Sequence, residues 1–208
     1  MNEKIIFDCD EVDYLQELLN ISFGSSAAII SDMLDTFVTL HIPKIELVHI
    51  DNIQGYINDS FDISQDYYVF AQQFRGDIEG EALFISKFES MKNLSNAVNE
   101  EGVNEDDIQG IIELSSELLN IVNPATIKRM ATEINKNVFF SQPSVKSIKS
   151  NELVNNTNII NYQTIIVIST VLDFQTEDIE GKLYILLKEN TIMLIKQAAA
   201  DFFNLEEE

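Results

Sequence analysis

Cationic residues are scarce in this chain: 13 Lys and Arg stand against 35 Asp and Glu, a formal charge of -22 over 208 residues. Nucleic acid and anionic membrane surfaces attract Lys/Arg patches and would repel such a surface, so neither is expected as a partner; a protein or a cationic partner fits better. Cysteine is almost absent. Cys9 alone cannot form an internal disulfide, and Met1-Asn2-Glu3-Lys4-Ile5 lacks a basic region leading into an apolar run. A cytoplasmic location is predicted. The longest charge-free run, Leu153 to Leu172, is broken by Asn155, Asn156, Asn158 and Asn161, which makes it a poor membrane span. Histidine is rare as well: His41 and His49 have no Glu or Cys at a zinc spacing. Neither a Gly-rich phosphate loop, nor a Gly-x-Ser-x-Gly elbow, nor a setting for a Cys nucleophile occurs. With 45% hydrophobic content the chain can bury a core without a staple, and a single domain over residues 1–208 is expected.

Proline is scarce too, and its placing is informative. Of only three prolines, two stand at the same distance after a Glu-x-x-Asn: Glu17, Asn20 and Pro43, then Glu117, Asn120 and Pro143. Glu17-Leu18-Leu19-Asn20-Ile21 recurs as Glu117-Leu118-Leu119-Asn120-Ile121. Phe74 is matched by Phe174, and Asp77-Ile78-Glu79-Gly80 by Asp178-Ile179-Glu180-Gly181. The chain reads as an internal duplication with repeats of about 1–100 and 101–208. Two copies are too few for a solenoid, so one pseudo-symmetric domain is expected.

Each repeat has the same order of patterns. Asp10 is a plausible N-cap, and Val12, Leu15, Leu18 and Leu19 recur at helical spacing, predicting a helix over about 10–22. Gly24, and Pro124 in the second repeat, predict a break before a further helical piece at 25–35 or 125–135. Short strands at Thr36–Leu40 and Val138–Phe140 are ended by the prolines. Tyr67–Phe74 and Tyr162–Leu172 then lead through the Asp-Ile-Glu-Gly turns into Glu81–Ser86 and Lys182–Leu187, a long hairpin in each half. Amphipathic helices at Phe88–Val98 and Asn190–Phe203 close the repeats. The fold class is α+β: a pseudo-two-fold duplicated domain whose antiparallel strands are covered by long helices.

On a helix Asp13, Glu17 and Asn20 share one polar stripe, while Leu15, Leu18 and Leu19 point away from it; Glu113, Glu117 and Asn120 make the second stripe. The chemistry on offer is a carboxamide that can orient water and a carboxylate that can pair with a cation.

The pattern Asp/Ser-x3-Glu-x2-Asn-x22-Pro resembles the signature of the CheC/CheX/FliY family of chemotaxis phosphatases, which act on a phosphorylated CheY-like response regulator. The first copy matches at Asp13, Glu17, Asn20 and Pro43, the second at Glu117, Asn120 and Pro143, with Glu113 standing where the family has Asp or Ser. Two motifs and no further domain look most like the CheC branch, and the likeness spans essentially the whole chain. Leu19 and Leu119 depart from it, occupying places where the family often has Gly.

The resemblance implies an aspartyl-phosphate phosphatase with Glu17, Asn20, Glu117 and Asn120 as catalytic residues. Asn would hold a water in line with phosphorus, and Glu would pair with the regulator's active-site Lys. It implies no cofactor on this chain, with Mg2+ carried by the phosphorylated partner, and a CheD-like protein as a further partner. The alternative is a non-catalytic CheC-like adaptor that binds a response regulator or a CheD-like deamidase.

Overall fold

The computed structural model describes residues 7–34, 37–62, 65–98, 107–149, 164–174 and 179–206. Two helices of 26 residues, α1 (Cys9–Leu34) and α4 (Ile108–Glu133), dominate it. Helix α1 starts one residue earlier than its pattern predicts. Asp8, not Asp10, is the cap: its Oδ1 accepts from Glu11 N at 2.9 Å, and its own N–H donates to Glu11 Oε2 at 3.0 Å, a reciprocal capping box. Asp107 caps α4 through Gly110 N.

Both helices run unbroken through the predicted breaks. A Cβ added to Gly24 would meet no atom within 4 Å, and this glycine simply continues the α-helix. Pro124 lies inside α4. A proline there costs about 3 kcal/mol, but α4 buries Ile111, Leu119, Val122, Ile127 and Met130, each contributing about 1.5–3 kcal/mol. Packing outweighs the local penalty. What the proline does remove is the N–H that would have met the main-chain carbonyl of Asn120, four residues earlier.

The strands are β1 (Val38–Leu40), β2 (Lys44–His49), β3 (Asp66–Gly76), β4 (Gly80–Ser86), β5 (Val138–Phe140), β6 (Ser144–Lys149), β7 (Thr164–Phe174) and β8 (Ile179–Leu187). They form one antiparallel sheet in the order β1-β7-β8-β4-β3-β5, with β2 also on β7 and β6 also on β3. The strands of each repeat's edge therefore pair with the long strand of the other repeat. At the centre, Gly80 faces Leu187 and Ser86 faces Gly181, the pairing of a pseudo-two-fold axis.

The registers correct one match made on sequence. Phe140 pairs with Phe74, and its counterpart Leu40 pairs with Leu172. The structural equivalent of Phe74 is thus Leu172, whereas Phe174 pairs with Val38, two residues further on.

The short strands do stop ahead of the prolines, at Leu40 and Phe140, but pairing to the same long strand resumes directly after each proline. Between Leu40 and Lys44 three residues oppose two of β7, and between Phe140 and Ser144 three oppose two of β3, so Pro43 and Pro143 sit in equivalent bulges after which pairing resumes. The repeated glycine of Asp-Ile-Glu-Gly is likewise a packing residue. A Cβ on Gly80 would lie 2.5 Å from Phe74 Cζ, and one on Gly181 2.0 Å from Phe84 Cζ. An aromatic ring covers each glycine where its strand begins.

Alternation along the strands separates two layers. Leu183, Ile185 and Leu187 face α1, α4 and α5 (Glu189–Glu206), while Tyr184 and Leu186 face α2 (Ile50–Asn58) on the opposite side. Helix α2 falls in a stretch whose pattern predicts only irregular chain. On the first face the core is doubled. The first half of α1 packs with the end of α4 and with α5; Ile30 at the end of α1 packs with the first half of α4 and with α3 (Phe88–Val98). The two long helices are therefore antiparallel, and where they cross, Thr126 Oγ1 donates to Ser26 Oγ at 2.8 Å. These two residues hold equivalent places in the repeats.

Candidate active site

Asp13, Glu17 and Asn20 are all exposed on α1, above buried Leu15, Leu18 and Leu19. Glu113, Glu117 and Asn120 are exposed in the same way on α4, above buried Ile111, Ser115 and Leu119. Because the helices are antiparallel and cross at Ser26 and Thr126, the two Glu/Asn pairs lie on either side of the crossing. They form two separate candidate sites, each with its carboxylate and carboxamide one turn apart. Gln109 Nε2 donates to Glu113 Oε1 at 2.9 Å, which occupies the residue that departs from the family pattern.

Beside each Asn the structure adds an apolar residue. Ile21 is 38% exposed and Ile121 is 42% exposed, an unusual presentation for isoleucine at equivalent positions. The helical pattern alone marks them only as part of the repeated block. On α1 the apolar surface continues: Tyr14, Leu18, Ile21, Phe202 and Phe203 share a groove of about 290 Å³ with Asp13, Glu17 and Glu133. Burial in that groove pushes the Tyr14 phenol up from its ordinary value, with Glu133 and Asp201 adding to the effect.

Behind the stripes lie the bulges. In the first half Thr170, a buried residue of β7, donates from Oγ1 to the His41 carbonyl at 2.6 Å. In the second half Gln72 of β3 donates from Nε2 to the Ser141 carbonyl at 3.0 Å. Gln72 and Thr170 are register equivalents, opposite Ala82 and Leu183. The longer residue does more: the same Nε2 also donates to Asn120 Oδ1 at 2.8 Å. Sequence reasoning missed Gln72, because a lone Gln amid β-type residues carries no motif.

The second site also gathers buried polar atoms without a partner. Among the described residues, Gln72 Oε1 and both ends of the Asn123 carboxamide make no hydrogen bond. Each such group costs about 1–3 kcal/mol, and Asn123 stands where the first half has buried Phe23. The two halves therefore differ in polarity beneath their Asn residues.

The histidines serve elsewhere. His41 Nε2 lies 3.6 Å from Asp173 Oδ2, and the His49 side chain accepts from Asp51 N to cap α2. Among the described residues no group of three or more His, Cys, Asp or Glu is placed to hold a metal ion. Nor is any helix there long and apolar enough to cross a membrane. A cavity of about 490 Å³, lined in part by Phe61, Ser90 and Lys182, shares no residue with either stripe.

This architecture is the fold of the CheC/CheX/FliY group of chemotaxis proteins. Among solved structures, the chain is similar to FliY from Thermotoga maritima, with a TM-score of 0.74 at 13% identity over 95% of this chain and 99% of that one. It is also similar to CheX in the CheX–CheY–BeF3–Mg2+ complex from Borrelia burgdorferi, at TM-score 0.51 and 14% identity, covering 82% and 98%. FliM in the FliM–SpeE complex from H. pylori gives 0.64 at 12% identity, covering 94% and 97%. No family model matches the chain, and no curated protein matches it in sequence.

Proposed function

We propose that this protein accelerates hydrolysis of the aspartyl phosphate on a CheY-like response regulator, through Glu17 with Asn20 and Glu117 with Asn120. The observation that carries this reading is the presentation of both Glu/Asn pairs, exposed at equivalent points of two antiparallel helices, each with an exposed Ile beside the Asn. The fold shared with CheX bound to CheY supports it, since BeF3 is isosteric with a phosphoryl group.

An aspartyl phosphate is an activated mixed anhydride and needs a placed water more than a strong base. Asn20 or Asn120 holds that water in line with phosphorus. A P–O bond to water forms as the P–O bond to the aspartate breaks, the carboxylate leaves with the electron pair, and the water's protons end on phosphate and solvent. Glu17 or Glu117 pairs with a Lys of the regulator and fixes the approach. Mg2+ belongs to the phosphorylated partner, where it neutralises phosphoryl charge. Positioning by one such polar group is worth roughly 10²–10³ in rate.

The test is loss of phosphate from a cognate regulator. Asn20→Ala with Asn120→Ala should return the rate to that of the regulator alone while leaving the unfolding transition in place; an unaltered rate in the double variant rejects the reading. The second reading is a non-catalytic adaptor that binds a regulator or a CheD-like protein, favoured by the fold shared with FliM bound to SpeE. Regulator binding with no effect on dephosphorylation would select it.

A further inference from the structure

Gln72 is fully buried in the middle of β3, where a carboxamide is costly unless bonded. Its two bonds define which way Asn120 faces. The Ser141 main-chain carbonyl can only accept, so the nitrogen of Gln72 must point toward it. That same nitrogen lies 2.8 Å from the Asn120 carboxamide, so the nearer end of Asn120 must be an acceptor, Oδ1. Among the described residues, Nδ2 of the exposed Asn120 is then left as the free end.

The first half keeps the bulge bond and lacks the rest. Thr170 reaches the His41 carbonyl, and its other bond, at 3.4 Å, is to the Val171 carbonyl. Among the described residues Asn20 has no side-chain hydrogen bond comparable to that of Asn120. The pseudo-symmetry thus supplies its own control, since a threonine at the equivalent place holds the bulge but not the amide.

We propose that Gln72 is a positioning residue for Asn120. It holds the carboxamide with Nδ2 outward, so that the second site is preorganised, while Asn20 in the first site becomes ordered only against its partner. This rests on the proposed function, and it makes the second site the faster of the two.

The test uses Gln72→Thr, which copies the first half and keeps a donor for the bulge carbonyl. Nitrogen relaxation of the side-chain amides in the intact protein should show Asn120 Nδ2 more ordered than Asn20 Nδ2, with the difference removed in Gln72→Thr. In an Asn20→Ala background, where only the second site remains, Gln72→Thr should lower kcat for regulator dephosphorylation by about tenfold or more with little change in KM. In an Asn120→Ala background the same substitution should leave the remaining rate as it was.

Equal order of the two amides in the unmodified protein overturns the proposal. So does an unchanged kcat in the Asn20→Ala background, or an equal loss in both backgrounds, which would mark general damage to the sheet. Activity surviving in the Asn20→Ala, Asn120→Ala double variant would instead reject the phosphatase reading, and the relaxation comparison would still decide whether Gln72 holds Asn120.

Discussion

At the scale of single residues, Tyr184 gives a titration with a defined sign. It is buried on the α2 side of the sheet among Val48, Ile53 and Leu186, and burial pushes its phenol up to about 12 from 10.0. A raised folded value favours the protonated form, so its contribution to stability is fully present below pH 10. It is lost as pH rises toward 12, because the unfolded chain releases the proton first. Denaturant unfolding at alkaline pH should therefore show a steeper decline for the native chain than for Tyr184→Phe; parallel curves would contradict the assignment.

Glycines make the second residue-scale contrast. Gly24→Ala should stabilise by about 0.5–1 kcal/mol, since the position is helical and nothing crowds the added methyl. Gly181→Ala should destabilise by about 1–3 kcal/mol or more, since the methyl meets the Phe84 ring. Thermal unfolding of the two variants reads both.

At the scale of elements, the long strands and the closing helices were legible in the sequence because their patterns are strong. Tyr67–Phe74 lies within β3, and Phe88–Val98 is α3. Misread elements share one cause, which is that a local signal was overruled by packing that sequence does not display. Gly24 and Pro124 look like breaks, yet the α1–α4 interface keeps both helices whole. Pro43 and Pro143 do follow the ends of β1 and β5, but the pattern did not show that pairing with β7 and β3 resumes beyond them, which makes each a bulge.

The site was half legible. The Glu/Asn stripes follow from helical spacing, and the structure exposes all six residues of the two stripes. What lies beneath could not be read: the equivalence of Gln72 with Thr170 rests on strand register, offset differently from the helices. The mistaken match of Phe74 to Phe174 has the same origin.

At the scale of the whole molecule, charge governs encounter. If the proposed function holds, a chain of net charge -22 approaching an acidic regulator is repelled at long range, and local contacts such as the proposed pairing of Glu17 or Glu117 with a Lys would have to hold the complex. The association rate with such a regulator should rise between about 0.01 and 0.15 M salt, over which the screening length falls from about 30 to 8 Å. Stopped-flow binding across that range checks it, and a rate that falls with salt would point to a basic partner surface.

The exchange of edge strands between repeats bears on how the molecule comes into being. Among the described residues Lys44 through His49 pair with Ser169 back through Thr164, so β2 waits for that pairing until β7 has left the ribosome. The first repeat, although synthesised first, would wait with an open edge on β3 and an unpaired strand of its own. With edge strands exchanged in this way the two halves should fold as one cooperative unit rather than as two beads in succession, with the exposed interval expected between the emergence of β4 and that of β7.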